Sequence, residues 1–143
     1  MKQKISPEDY SKIIEVIELE NISLLEGNLK VSDSDDNGGT INLKLSDKYT
    51  YEDKKDKVIF YASCKLLGHK EQNEPKNLFF TISSKYKIVY NKSSDIQITD
   101  DFFEIFREIS LSIMIWPYIR EYIQNNLCRA GLPSLTLPLR KIC

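Results

Sequence analysis

The chain has 143 residues, of which 41% are hydrophobic and 29% charged, enough for one domain with its own core and a well-solvated surface. A formal net charge of −1 leaves no electrostatic footprint for nucleic acid or an anionic membrane. No apolar run approaches the ~18 residues that cross a bilayer, and Met1 to Pro7 carries no apolar stretch of signal-peptide length, so the cytoplasm is the expected location. The cysteines, Cys64, Cys128 and Cys143, lack metal-ligand spacing and read as reduced thiols, with Cys64 and Cys128 as small packing residues.

In chain order, Ser6-Pro7-Glu8-Asp9 supplies an N-cap, a proline at the first helical position and acids in the first turn. This predicts a short helix to about Glu18. The period then changes: Ile22 and Leu24, followed by Leu29 and Val31, predict a first strand broken at Glu26-Gly27-Asn28. Ser32 to Gly39 is polar and predicts a loop. Ile41, Leu43 and Leu45 alternate with Asn42 and Lys44 in a second strand. Val58 to Leu67 predicts a third, apolar on both faces and therefore covered on both. Leu78, Phe80, Ile82, Tyr86, Ile88 and Tyr90 alternate with polar residues in a long fourth strand.

From about Asp101 to Arg129 the spacing is helical. Phe102, Ile105, Phe106, Ile109, Ile113 and Trp116 form one stripe, while Leu111, Met114, Ile115, Tyr118 and Tyr122 occupy other sides. A helix so apolar needs cover on more than one face, and the second set predicts an interface with another copy of the chain. Pro117 removes a backbone donor and predicts a kink. Strands in a row followed by a long helix predict a single α+β domain over residues 1–143, a four-stranded antiparallel sheet backed by helix.

Chemical motifs are absent or incomplete. Asp33-Ser34-Asp35-Asp36-Asn37-Gly38 reproduces the first half of a calcium loop, but Lys44 stands where the closing bidentate carboxylate belongs. His69, the only histidine, follows Gly68 in an expected turn and has no assigned partner. The Lys54-Lys55-Asp56-Lys57 cluster reads as solvated loop charge balanced by Glu52 and Asp53. Nucleophile, base and orienting group do not assemble, so neither an enzyme nor a cofactor is expected.

The run Ile115-Trp116-Pro117-Tyr118-Ile119-Arg120-Glu121-Tyr122-Ile123, followed by Arg129-Ala130-Gly131-Leu132-Pro133-Ser134-Leu135-Thr136-Leu137-Pro138, resembles the signature of the SecB protein-export chaperones. There an aromatic-Pro-Tyr-x-Arg-Glu helix precedes a Gly-x-aromatic-Pro-x-Leu-x-Leu loop. The resemblance implies helices on one side of a four-stranded sheet, dimers or tetramers, and ATP-independent holding of extended, non-native polypeptides. Its hydrophobic client groove maps onto Ile41, Leu43 and Leu45 of the second strand and Leu132, Pro133, Leu135 and Leu137 of the post-helix loop, with Phe60 and Phe80 as further members. Arg120 and Glu121 are expected in a supporting salt-bridge or capping network.

Typical members continue past this loop into a second helix and an acidic tail that help meet the SecA motor, whereas this sequence ends at Lys141-Ile142-Cys143. That departure and the added N-terminal helix resemble the dedicated chaperones of toxin–antitoxin systems, so the implied partners are unfolded clients with SecA or an antitoxin. A non-chaperone oligomer that docks one folded partner is the alternative from a different class.

Overall fold

A computed structural model describes residues 5–32, 41–70 and 78–132. The first helix, α1 (Pro7–Val16), is capped as its sequence requires, the Ser6 hydroxyl accepting from the Asp9 amide at 3.1 Å. It ends at Val16 rather than near Glu18, because Ile17 is already extended and opens a strand.

That strand, β1 (Ile17–Val31), is continuous. The break expected at Glu26-Gly27-Asn28 is instead an irregularity of register: β1 shifts against its neighbour between Leu19 and Asn21 and between Leu24 and Glu26. Each shift resets the side-chain alternation without ending the ladder. Next come β2 (Ile41–Asp53), β3 (Lys57–Lys70) and β4 (Leu78–Lys92), paired as an antiparallel meander, and β1 closes the sheet beside β4 in the order β1-β4-β3-β2. β2 runs well past Leu45, carrying Tyr49 and Tyr51 on the face that Leu43 and Leu45 share. His69 is not in a turn. Pairing with Asn42 and Leu78 carries β3 through it, and it is only 5% exposed.

The register separates the faces. Val58, Phe60, Ala62, Cys64 and Leu66 of β3 align with Tyr90, Ile88, Tyr86, Ser84 and Ile82 of β4 on the helix side. On the other side Ile59 and Val89 form a buried pair, but Tyr61, Ser63 and Lys65 stay half-buried or exposed, so cover on both faces of β3 holds only locally.

The helix side is covered by α2 (Asp100–Phe106), a π-helical turn over Arg107–Leu111, and α3 (Ser112–Arg129). Thr99 caps α2, its hydroxyl accepting from the Phe102 amide at 3.2 Å. The helix continues through Pro117. Trp116 is buried, and the main inward row is Phe102 and Phe106, then Leu111, Ile115, Ile119, Ile123 and Leu127. Every step is one of four residues except that from Phe106 to Leu111, which spans the π turn. This extra residue rotates the inward face. Ile109, expected inward, is 39% exposed, whereas Leu111 and Ile115, expected at an oligomer interface, are 0% exposed against the chain's own sheet.

Aromatic rings fill the end of the sandwich nearest α2. Phe60 lies 5.2 Å from Phe106 and 5.6 Å from Tyr90 between ring centroids, Phe102 stacks on Phe106 at 5.3 Å, and Tyr10 of α1 meets Phe102 at 5.0 Å. Such pairs add about 0.5–1.5 kcal/mol each beyond the area they bury. A polar clamp holds the same end. Lys92 Nζ, on a side chain 1% exposed, donates to Asp53 Oδ1 at 2.7 Å and to the Ile96 carbonyl at 2.8 Å. Asp53 Oδ2 accepts from the Ile98 amide at 3.0 Å, and Tyr51 donates to Asp100 Oδ1 at 2.6 Å. The ends of β2 and β4 are thereby tied to the segment that enters α2.

Candidate functional site

At the opposite end of the helix-side face the side chains are equally apolar and the cover is thinner. One row across the sheet reads Val31, Phe80, Gly68, Leu43; the next reads Leu29, Ile82, Leu66, Leu45. The central members are buried, but on the outer strands Leu43 is 42% exposed, Leu45 38% and Val31 40%. Ile41 and Leu29 are half-buried at the margin, packed against the core. Gly68 makes this floor possible: a Cβ there would collide with the Phe80 ring, so the glycine lets the ring lie over the backbone of β3.

Ile41, Leu43 and Leu45 therefore share one accessible apolar face, and Leu132, just beyond α3, is half-buried against the core. Pro133, Leu135 and Leu137 lie outside the described residues, as does the calcium-like segment Asp33 to Gly38. Phe80 belongs to the same row but is buried. Phe60 is at the other end, enclosed by Phe103, Phe106 and Tyr90, and presents no surface in the protomer.

Ile109 and Tyr118 of the helix are both exposed, with the Tyr118 ring edge-on to Tyr86 at 6.1 Å. Met114 accepts a hydrogen bond on Sδ from the Tyr90 hydroxyl at 3.4 Å, and Tyr122 lies over Gly27, where a Cβ would strike its hydroxyl. Both are half-buried and face the sheet. Tyr86 donates to the Tyr118 carbonyl at 3.2 Å, and burial first, then the nearby Glu121 carboxylate, pushes its pKa up to about 12. Glu121 accepts from Asn125, which in turn accepts from Arg129 Nε at 3.1 Å; Arg120 takes no part in this network. Cys64 is buried as expected, but Cys128 is exposed because the inward row of α3 passes through Ile123 and Leu127 instead.

Sequence reading passed over the outer residues of β1. Val31 completes the Leu43 row, and Leu19 and Leu24 are exposed on the same face. Their alternation was present, but the two register shifts hid which way each points. Among the described residues no group of three or more His, Cys, Asp or Glu converges to hold a metal, and no helix is long and apolar enough to cross a membrane. What the arrangement offers chemically is apolar contact along an outer strand.

No known family profile and no curated protein matches the sequence. Among solved structures, the SecB-like chaperone Rv1957 of Mycobacterium tuberculosis, in complex with a ChAD peptide from the Rv1956 HigA1 antitoxin, superposes with a TM-score of 0.79. The match covers 94% of this chain and 97% of that one at 16% identity. A protein of unknown function from Streptococcus agalactiae aligns with a TM-score of 0.41 and 10% identity over 85% of this chain and 96% of that one. The β1-β4-β3-β2 sheet, the long C-terminal helix across one face and the extent of the Rv1957 superposition give this chain the SecB-like fold.

Proposed function

We propose that this protein is an ATP-independent chaperone that holds non-native, extended polypeptides against the apolar face of β2. The observation that carries this reading is the exposure of the outer-strand residues Leu43 and Leu45 on a face whose central strands are closely packed. Neighbouring leucines on an outer strand offer shape-tolerant contact to any chain with apolar side chains, without a cofactor or a reaction. Each leucine-sized client side chain fully buried there contributes about 1.5–3 kcal/mol before ordering costs. Several such contacts give useful affinity with little sequence preference.

A dedicated client is the finer reading, and the solved SecB-like chaperone bound to an antitoxin peptide favours an antitoxin in that role. The protein acts in the cytoplasm as a homodimer or homotetramer, with the exposed Ile109 and Tyr118 of the long helix available for assembly. Handover of clients to SecA in export is a separable property, read by whether SecA binds the loaded protein.

The test is binding of the purified protein, without nucleotide, to unrelated permanently unfolded polypeptides and to the folded form of one of them. Binding to the unfolded chains alone, lost in Leu43→Asp/Leu45→Asp with circular dichroism and oligomer mass unchanged, supports the holdase. Binding to one folded partner and to no unfolded chain overturns it in favour of a docking protein.

A further inference from the structure

The sheet face turned away from the helices carries a second surface of different chemistry. Successive rows across it read Ser23, Lys87, Tyr61, Thr50; Glu26, Lys85, Ser63, Lys48; Asn28, Ser83, Lys65, Ser46; and Lys30, Thr81, Leu67, Lys44. Lys30, Lys44, Lys48, Lys65, Lys85 and Lys87 thus stand on one face with Glu26 as the sole acid in these rows, in a chain whose formal net charge is −1. None of these lysines has a carboxylate partner among the described residues; Lys85 alone has a defined neighbour, its ammonium 5.3 Å from the centre of the Tyr61 ring.

The two middle rows wall an open cavity of about 660 Å³ that crosses all four strands. Its floor is the row Gly27, Ser84, Cys64 and Asp47, whose side positions belong to the helix side, so backbone is what the cavity meets. Short side chains keep it open: Ser46, Ser63, Ser83 and Asn28 supply donors, and Lys48, Lys65 and Lys85 supply charge.

We propose that this trough is a docking site for an acidic polypeptide segment of a partner protein, separate from the apolar client surface. Charge complementarity is the argument: ammonium groups without internal carboxylate partners beside hydroxyl and amide donors match carboxylates and peptide carbonyls. The size fits as well, because four strands span about 14 Å, the length of about four residues of extended chain. Nucleic acid suits the site less. Among the described residues the face has no arginine, its rings Tyr61 and Phe79 each already carry a lysine ammonium, and single strands need aromatic faces on which to stack.

The experiment is a fluorescence-anisotropy titration of the full chain with a labelled Asp/Glu/Ser peptide at low and at physiological salt, with an oligothymidylate of matched charge as comparator. The peptide is expected to bind with salt-dependent affinity, and Lys48→Gln/Lys65→Gln/Lys85→Gln to weaken it by about tenfold, as the loss of three exposed charge contacts predicts. Lys12→Gln/Lys54→Gln/Lys55→Gln, which removes equal charge elsewhere, is expected to leave it unchanged, and both variants are to keep the parent's circular dichroism. Equal weakening by the two variants overturns the proposal, as does preference for the oligothymidylate. Amide chemical-shift changes confined to the helix side in the unmodified protein overturn it independently. Loss of acidic-peptide binding with unfolded-chain binding intact separates this site from the apolar one.

Discussion

Phe60 and Leu43 sit on the same face of adjacent strands, each in a row of apolar residues at every second position. Phe60 is enclosed by four aromatic neighbours, Tyr51, Tyr90, Phe103 and Phe106, whereas Leu43 at the other end of the sheet is 42% exposed. The difference lies in what covers them, since α2 enters the sandwich at the Phe60 end and the helix runs on toward Tyr86 and Gly27 of the β1 side. An apolar strand residue therefore becomes core or contact surface according to where a distant helix crosses it.

Substitution at the two ends should separate these roles. Phe60→Ala is expected to cost about 3–5 kcal/mol in urea unfolding followed by circular dichroism, since it empties a closed site. A cost below about 1 kcal/mol, the range of an exposed substitution, would show that the aromatic end is loose. At the clamp, Lys92→Met leaves Asp53 and the Ile96 carbonyl without their cation and should cost about 1.5–3 kcal/mol by the same measurement. Gly27→Ala tests the crossing point itself. Collision with the Tyr122 hydroxyl should cost about 1–3 kcal/mol, and Gly27→Ala/Tyr122→Phe should recover part of it.

Alkaline pH gives a smaller, graded effect. Burial, with Asp100 beside Tyr51 and Glu121 near Tyr86, raises both phenols to about 12. Unfolded tyrosine ionises near 10, so the folded state holds these protons more tightly, and the stability they supply is complete below pH 10 and is lost as pH rises through 12. Tyr51→Phe should flatten the fall in thermal midpoint over that window. Smallest in stability is Leu43→Ser/Leu45→Ser, expected to change unfolding by less than about 1 kcal/mol because both side chains are already wet. Its effect should appear instead as weakened binding of unfolded chains, and a large loss of stability would return these leucines to the core.

Much of the architecture was legible in the sequence. Ser6-Pro7-Glu8-Asp9 marked a helix start, the alternation of β2 and β4 and the apolar run of β3 marked strands, and the Trp116-Pro117-Tyr118 segment pointed to the fold that the superposition bears out. These signals are local, carried by caps, turn residues and side-chain period, and local physics is what a sequence states directly. Direction around the helix was not legible. One extra residue in the π turn moved Ile109 outward and Leu111 and Ile115 inward, and period counting assumes that no such residue exists.

The candidate sites divide along the same line. Ile41, Leu43 and Leu45 could be named from alternation, but alternation gives Leu43 and Phe60 equal standing, and only the path of the long helix leaves one open and closes the other. A net charge of −1 likewise averages away the lysines that register gathers on the far face of the sheet. The sequence by itself determined which segments are helix or strand and which residues are apolar, because those depend on neighbours a few positions apart. Tertiary structure alone decided which apolar residues stay accessible and which charges stand together, because both depend on contacts between segments far apart in the chain.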